Sequence, residues 1–233
     1  MDSLHFIQAV FEFLVLLFSL SLHEAAHAWT ANRLGDPTAR MLGRVTLNPI
    51  KHIDLVGTII IPLIMLFMPG GFVFGWAKPT PVTPRNFKNI TRDDILTTLA
   101  GPVSNVLAAI GFTIALLILS KTSGQGATIV HQLASGMGID PALISTSTVM
   151  LPLALLLYMG VSLNLILFVF NLIPLPPLDG SHVLRHFLPY KALRVYDSLG
   201  IIGFVLLFFV GYKVIGYFAG PMLGFIDAIL LSF

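Results

Sequence analysis

The sequence predicts an all-α, polytopic membrane protein with about five to six transmembrane helices and a short re-entrant β segment. Hydrophobic residues make up 56% of the 233 residues, and charged residues only 10%. The mean hydropathy of +0.90 lies outside the usual range of soluble domains. No internal repeat or second soluble region interrupts the apolar segments, so we expect a single integral membrane domain over residues 1–233.

The apolar segments follow one another at 4–32, 55–68, 95–120, 148–172 and 198–219, with a short tail at Met222–Phe233. The first, third, fourth and fifth segments are long enough to cross a bilayer. The first segment lacks the basic start of a signal peptide, so we expect it to be retained.

The second apolar segment is only about fourteen residues long, which is short for a full crossing. It ends at Pro69-Gly70-Gly71, and the stretch Gly75–Val82 contains prolines that oppose a helix. This pattern predicts a tilted helix followed by a re-entrant strand. Because irregular backbone at membrane depth must be covered by protein or border a wet cavity, we expect this stretch to line a cleft.

Basic residues are concentrated in three of the connecting loops and predict the orientation in the cell membrane. All three loops lie in the cytoplasm if the chain between Asp54 and Pro84 enters the membrane and returns to the same side. A net charge of only +2, with its basic residues in loops, does not indicate nucleic-acid binding. The residues behind this prediction are Arg33, Arg40, Arg44, Lys51, Arg85, Lys88, Arg92, Arg185, Lys191 and Arg194.

The motif His23-Glu24-Ala25-Ala26-His27 lies at the end of the first apolar segment. On a helix the two histidines project from one face and can bind one Zn²⁺ ion, with Glu24 beside them as a candidate general base. A chain with seven His and two Glu would contain this pattern by chance roughly 0.002 times. The motif therefore predicts one zinc site per chain, near the cytoplasmic side of a membrane helix.

Catalytic zinc usually takes three protein ligands, and a chain without cysteine must supply the third from His, Asp or Glu. Asp179 is the best candidate, because prolines end the fourth apolar segment just before it and Gly180 permits a tight turn. The predicted topology places Asp179 on the same side as His27. An ordinary turn aspartate is the alternative.

Three separate motifs resemble the site-2 protease family of intramembrane zinc metalloproteases, in its compact bacterial and archaeal form. They are the HExxH motif at 23–27, Gly101-Pro102-Val103-Ser104-Asn105, and the proline-rich segment from Asn171 to Gly180. The resemblance implies zinc ligation by His23, His27 and Asp179, with Glu24 as general base. It also implies transmembrane protein substrates, cleaved within the bilayer in regulated intramembrane proteolysis. The sequence has no inserted PDZ or CBS domain like those of larger members. It does not identify a regulatory membrane protein.

Several further residues have candidate roles in or near the site. Asn105 is a candidate oxyanion donor or holder of the substrate backbone, with an interhelical hydrogen bond as the alternative. An extended substrate could pair with a strand edge made by Phe72, Val73, Phe74, Gly75 and Trp76. His52 and Asp54 either orient a ligand or lie in a solvated loop. His182 and His186, one turn apart, could form a second metal pair, although such a spacing is more often incidental.

Two other classes of protein compete with a metalloprotease. A metal or ion transporter would also place His, Glu and Asp in the membrane, but it predicts repeated spans with broken helices, and no repeat occurs. A proteolytically inactive membrane binding protein would have no need of Glu24 between the two histidines.

Overall fold

The computed structural model describes residues 3–66, 75–198 and 200–233. Its helices come in chain order. They are α1 (Ser3–Leu34), α2 (Thr38–Met41), α3 (Ile61–Leu66), α4 (Ile90–Thr122), α5 (Gly124–Ser135), α6 (Pro141–Thr146), α7 (Met150–Leu172), α8 (Asp179–Arg185), α9 (Tyr190–Asp197) and α10 (Gly200–Leu231). A π-helical segment, Leu55–Ile60, leads directly into α3, and short 3₁₀ turns lie at Pro49–Lys51 and Pro84–Asn86.

Four of the described helical segments are long and apolar enough to cross a membrane: Ile7–Leu34, Ile90–Thr122, Met150–Leu172 and Lys213–Leu231. The prediction of an all-helical, multi-pass membrane protein is confirmed. The predicted total of five to six spans is not established, because the short helix Leu55–Met65 falls below the length of a full crossing.

Helix α4 lies at the centre of the bundle and packs against α1 and α7. Its exposed apolar side chains recur every three or four residues, so one stripe of the helix faces outward. These side chains are Val103, Leu107, Ile110, Ile114 and Ile118. The opposite stripe carries Gly101, Asn105, Ala109 and Leu116, all buried. The face that packs in the bundle therefore also carries the small and polar residues of the 101–105 motif.

The segment between α4 and α7 contains a helix that lies outside the predicted apolar segments 95–120 and 148–172. Helix α5 forms there, and its Ile129 and Val130 are buried against the α4–α7 core. The last helix also differs from the prediction, because α10 continues through Pro221 to Leu231 rather than ending before a separate tail. Lys121 Nζ lies 3.2 Å from the backbone oxygen of Phe233, so the ends of α4 and α10 lie at the same face.

Residues 75–83 form no helix or strand, and backbone hydrogen bonds attach this 75–83 segment to the preceding segment. The Trp76 N–H donates to the Gly57 carbonyl at 3.1 Å, and the Lys78 N–H donates to the His52 carbonyl at 2.8 Å. No β-strand occurs among the residues that the structure describes. Phe72, Val73 and Phe74 lie outside the described residues, so the predicted strand over 72–76 stays a prediction.

Candidate metal centre

His23 and His27 lie one turn apart on the buried stripe of α1. The outward stripe of the same helix carries Ile7, Val10, Leu14 and Phe18, which explains why the histidines point into the bundle. Both side chains are buried, and their Nε2 atoms lie 3.0 Å apart. The HExxH spacing has thus folded as the sequence predicts, with both imidazoles aimed at one point.

Asp179 reaches the same point from the other side of the bundle. Its Oδ2 lies 3.1 Å from His23 Nε2 and 3.5 Å from His27 Nε2, and it is a buried oxygen that accepts no conventional hydrogen bond. Ligand atoms at about 2.1 Å from a tetrahedral zinc ion lie about 3.4 Å from one another. The three observed separations, from 3.0 to 3.5 Å, therefore fit one tetrahedral ion with a fourth position left for water.

The charge state of Asp179 suits a metal ligand. Burial alone would raise the pKa of Asp179, but its contacts with His23 and His27 hold that pKa below its ordinary value. The carboxylate is therefore ionised at neutral pH, as a zinc ligand must be.

Each histidine is oriented through its other ring nitrogen. His27 Nδ1 lies 2.7 Å from the Thr97 carbonyl oxygen, and His23 Nδ1 lies 2.7 Å from Asn105 Oδ1. A carbonyl oxygen only accepts hydrogen bonds, so Nδ1 carries the proton in both rings. When each ring is neutral, its Nε2 lone pair faces the ligand cluster, which is the arrangement of a metal-binding imidazole.

Asn105 is fully buried, and its amide group belongs to a chain of hydrogen bonds between three helices. Its Nδ2 donates to Asn164 Oδ1 at 2.9 Å, and Asn164 Nδ2 donates to Ser19 Oγ at 2.9 Å and to the Gly160 carbonyl. Asn164 and Ser19 belong to no motif, and neither was predicted to be a site residue. An asparagine in the middle of the apolar segment 148–172 is the signal that could have identified this network.

Gly101 lies where α4 passes closest to the imidazoles. A Cβ atom at this position would overlap His27 Nε2 and lie 2.6 Å from His23 Nε2. Only glycine lets α4 approach α1 this closely, which gives the first residue of the 101–105 motif a steric role.

Glu24 forms hydrogen bonds to the 75–83 segment. Its Oε2 accepts a hydrogen bond from the Thr80 N–H at 2.7 Å, and the Thr80 hydroxyl donates to the Glu24 carbonyl at 3.0 Å. Thr58 fixes the same segment, because its hydroxyl donates to the Trp76 carbonyl at 2.7 Å. The ligand atoms of His23, Glu24 and His27 lie within 4.8 Å of one another, so the carboxylate is adjacent to the ligand cluster.

A cavity of about 1060 Å³ connects these groups. It is lined by His23, Glu24, His27 and Asp179, by Gly75 to Thr80 except Lys78, and by Asp94, His182 and His186. Gly75 and Trp76 thus line the cavity, as predicted for a segment that borders a cleft. His186 Nε2 lies 2.7 Å from Asp94 Oδ2, so it is held by a carboxylate on α4.

His52 and Asp54 have local structural contacts. His52 is buried, and its Nε2 bonds the Thr46 carbonyl at 2.8 Å. Asp54 Oδ1 accepts hydrogen bonds from the N–H groups of Val56 and Gly57, so it caps the π-helical segment. Neither residue lines the cavity of the metal centre.

Comparison with known proteins agrees with this geometry. The family model described as "Peptidase family M50" matches residues 11–210. The chain belongs to peptidase family M50. The predictions of a site-2 protease relative and of a peptidase are therefore confirmed.

Individual relatives of this M50 peptidase carry the name "Putative zinc metalloprotease". YwhC of Bacillus subtilis (strain 168) is 40% identical over 200 residues, which cover 84% of this chain and 78% of YwhC. Rip2 of Mycobacterium tuberculosis strain H37Rv is 28% identical over 91% of this chain and 71% of its own length. Rip2 of Mycolicibacterium smegmatis is 28% identical over 82% of this chain and 62% of its own length. No solved structure gives a significant match to the chain.

Proposed function

We propose that this M50 peptidase is a zinc metalloendopeptidase that cleaves transmembrane segments of other membrane proteins. The observation that carries the proposal is the convergence of His23, His27 and Asp179 beside Glu24 in a cavity within the bundle. Two imidazoles and one carboxylate form a donor set typical of catalytic zinc. The names of YwhC and Rip2 support zinc as the metal.

His23, His27 and Asp179 would hold the zinc ion, and Asn105 and the Thr97 carbonyl would orient the two histidines. A zinc ion bound there supplies Lewis acidity and lowers the pKa of a coordinated water towards about 7. Glu24 would accept the proton of the attacking water and transfer it to the departing amine of the peptide. Because the Thr80 N–H holds Oε2, the second carboxylate oxygen of Glu24 is the one we assign to proton transfer.

We assign Asn105 a role different from that of an oxyanion donor. Its side chain has no exposed surface, and its oxygen and nitrogen bond His23 and Asn164. A donor to the oxyanion must face the cavity, whereas this amide faces the helix interfaces. The alternative considered from the sequence, an interhelical hydrogen bond, fits these contacts and also fixes the tautomer of His23.

A transmembrane substrate must unwind before its peptide bond can be attacked, because helical amides are bonded within the helix. The 75–83 segment beside Glu24 lines the cavity, and we propose that its backbone groups hold the substrate in extended form. Gly75 and Trp76 are the described members of the predicted strand over 72–76, and Phe72, Val73 and Phe74 belong to the same hypothesis. We further propose that residues 1–233 act as a single domain in the cell membrane, with the site open towards the cytoplasm, as the basic loops indicate.

Purified protein in detergent would test the function with Glu24→Gln, a model transmembrane substrate and a measurement of bound zinc. We expect Glu24→Gln to abolish cleavage and to keep its zinc, because only the base is lost. The matched control is Glu12→Gln, which makes the same chemical change on the same helix and should retain cleavage.

The alternatives give different results in the same experiment. Zinc bound by wild type without cleavage of several substrates would indicate the inactive binding protein. Absence of zinc from wild type would overturn the zinc assignment. Zinc transport into vesicles that survives Glu24→Gln would support the transporter instead.

A further inference from the structure

A second cavity lies on the protein surface at the C-terminal end of α1, and it shares no lining residue with the cavity of the metal centre. Its volume is about 490 Å³. We name it the Trp29–Arg40 cavity, and its lining consists of Trp29, Asn32, Arg33, Arg40, Gly43 and Val45.

Contacts between α1 and α4 place this cavity at the level of the membrane surface. His27 on α1 lies level with Thr97 on α4, since Nδ1 bonds the Thr97 carbonyl. Helix α4 becomes charged one turn before Thr97, at Asp94. The two helices run in opposite directions, because His23 contacts Asn105 while His27 contacts Thr97. Trp29 and Arg33 therefore lie where α4 leaves the apolar layer, and Trp and Arg are typical of that interface.

Arg33 and Arg40 give the cavity a positive charge. The Arg33 guanidinium lies 5.3 Å from the centre of the Trp29 ring. Across residues 3–66, 75–198 and 200–233, neither Arg33 nor Arg40 forms a salt bridge with a carboxylate. The nearest acid in sequence, Asp36, is fully buried and bonds the Thr83 N–H and the Asn86 amide instead.

Asp36 stays anionic without neutralising these arginines. Burial alone would raise its pKa, but hydrogen bonds from Thr38, Thr83 and Asn86 hold that pKa below its ordinary value. The charge of Asp36 is thus stabilised by its own partners, inside the protein, and the two guanidinium groups remain available at the surface.

Two exposed apolar side chains lie between the lining residues Arg40 and Gly43 in the sequence. They are Met41, which is 74% exposed, and Leu42, which is 60% exposed. A basic cavity flanked by exposed apolar side chains at this depth is complementary to a molecule that carries a phosphate next to acyl chains. Guanidinium groups bind phosphate through charge-assisted hydrogen bonds, and Met41 and Leu42 would contact the chains.

We propose that the Trp29–Arg40 cavity binds the headgroup phosphate of an anionic phospholipid from the adjoining leaflet. The proposal is independent of the protease assignment, because it uses none of the residues of the metal centre.

The full-length protein in zwitterionic detergent micelles would be titrated with phosphatidylglycerol, with retained lipid counted by native mass spectrometry. The variant is Arg33→Gln together with Arg40→Gln. The matched control is Arg85→Gln together with Lys88→Gln, which removes two exposed basic side chains from the same side, outside the cavity. We expect the cavity variant to lose about 30-fold in lipid affinity, roughly fivefold per arginine, and the control to change little.

Equal losses in the two double variants would show general charge attraction and would overturn a specific site. Inorganic phosphate that binds wild type as tightly as phosphatidylglycerol, and displaces it, would identify a free phosphate site and overturn the lipid. Equal retention of phosphatidylcholine and phosphatidylglycerol would overturn recognition of the anionic headgroup. Circular dichroism of each variant must match wild type, and Arg33→Lys with Arg40→Lys should restore most of the binding in a folded protein.

Discussion

Gly101 lies where α4 comes closest to the two imidazoles of α1, and it has no side chain to fill that space. Ser104, Asn105 and Pro102 lie on the following turn, and Asn105 completes the contact by bonding His23. The residues that surround the ligand cluster therefore include one whose function depends on having no Cβ atom.

Gly101→Ala is expected to abolish or strongly weaken zinc binding, because the new methyl group overlaps His27 Nε2 and crowds His23. The matched control is Gly111→Ala on the same helix, where a Cβ atom meets nothing within 4 Å. That variant should bind zinc like wild type. Equal zinc content in both variants, measured by atomic emission after purification, would contradict the steric role of Gly101.

Asn105→Leu is expected to weaken zinc binding by about 10- to 100-fold, as is typical when a partner of a metal-bound histidine is removed. The His23 ring then loses the acceptor that fixes its tautomer. Ser104→Ala is the control, because the neighbouring hydroxyl is buried but bonds only the Gly101 carbonyl. Competition with a chromophoric chelator measures both affinities, and an unchanged affinity in Asn105→Leu would leave Asn105 with a packing role alone.

At the scale of elements, α8 carries Asp179 at its first residue and must be held at a fixed distance from α1. The proline-rich turn ends α7 and starts α8, and Tyr196 supports that turn through a hydrogen bond from its hydroxyl to the Pro174 carbonyl at 2.8 Å. At the other end of α8, His186 bonds Asp94 on α4. Because α4 also packs on α1, the contact between His186 and Asp94 helps to fix the distance from Asp179 to the two histidines.

His186→Ala is expected to lower zinc affinity severalfold and cleavage with it, because α8 loses its attachment to α4. Phe187→Ala is the control at the neighbouring position, since its side chain is 72% exposed and does not line the cavity. Chelator competition and cleavage are measured in both variants. Loss of affinity in Phe187→Ala alone would reverse this assignment.

The two regions that differ from the sequence prediction are both explained by contacts between elements. Helix α5 has polar residues and glycines along its length, so the sequence of 121–147 does not predict a helix. In the structure, Ile129 and Val130 pack one face of α5 on the core. The continuation of α10 through Pro221 is also not predicted by the sequence pattern, because proline normally ends or kinks a helix. Beyond Pro221, α10 packs on the same core through Met222, Leu223 and Leu230.

At the scale of the whole molecule, the packing of α1 on α4 determines at which face of the bundle the chain between them begins and ends. His27 near the end of α1 contacts Thr97 near the start of α4, so α1 ends and α4 begins at the same face of the bundle. The chain from 35 to 89 therefore leaves and returns at that face. This agrees with the charge pattern that predicts a re-entrant segment.

Single-cysteine variants would test the orientation, since the chain has no cysteine of its own. Met137 is 81% exposed and Tyr190 is 73% exposed, on the two opposite sides of the predicted topology. In intact spheroplasts, a membrane-impermeant maleimide should label Met137→Cys at once and Tyr190→Cys only after the membrane is permeabilised. The reverse order would invert the topology, and labelling of both without permeabilisation would contradict the predicted number of crossings.

The amino-acid sequence by itself determined the class of the molecule, its main membrane helices and the ligand candidates. Hydrophobicity, helical period and motif spacing are local properties, and the i, i+4 spacing already places His23 and His27 on one face. Only the tertiary structure decided that Asp179 Oδ2 lies within 3.5 Å of both histidines, that Thr80 holds Glu24, and that Asn105 faces Asn164 rather than the cavity. These relations join residues from 56 to 156 positions apart, so they follow from how the helices pack and not from any local pattern.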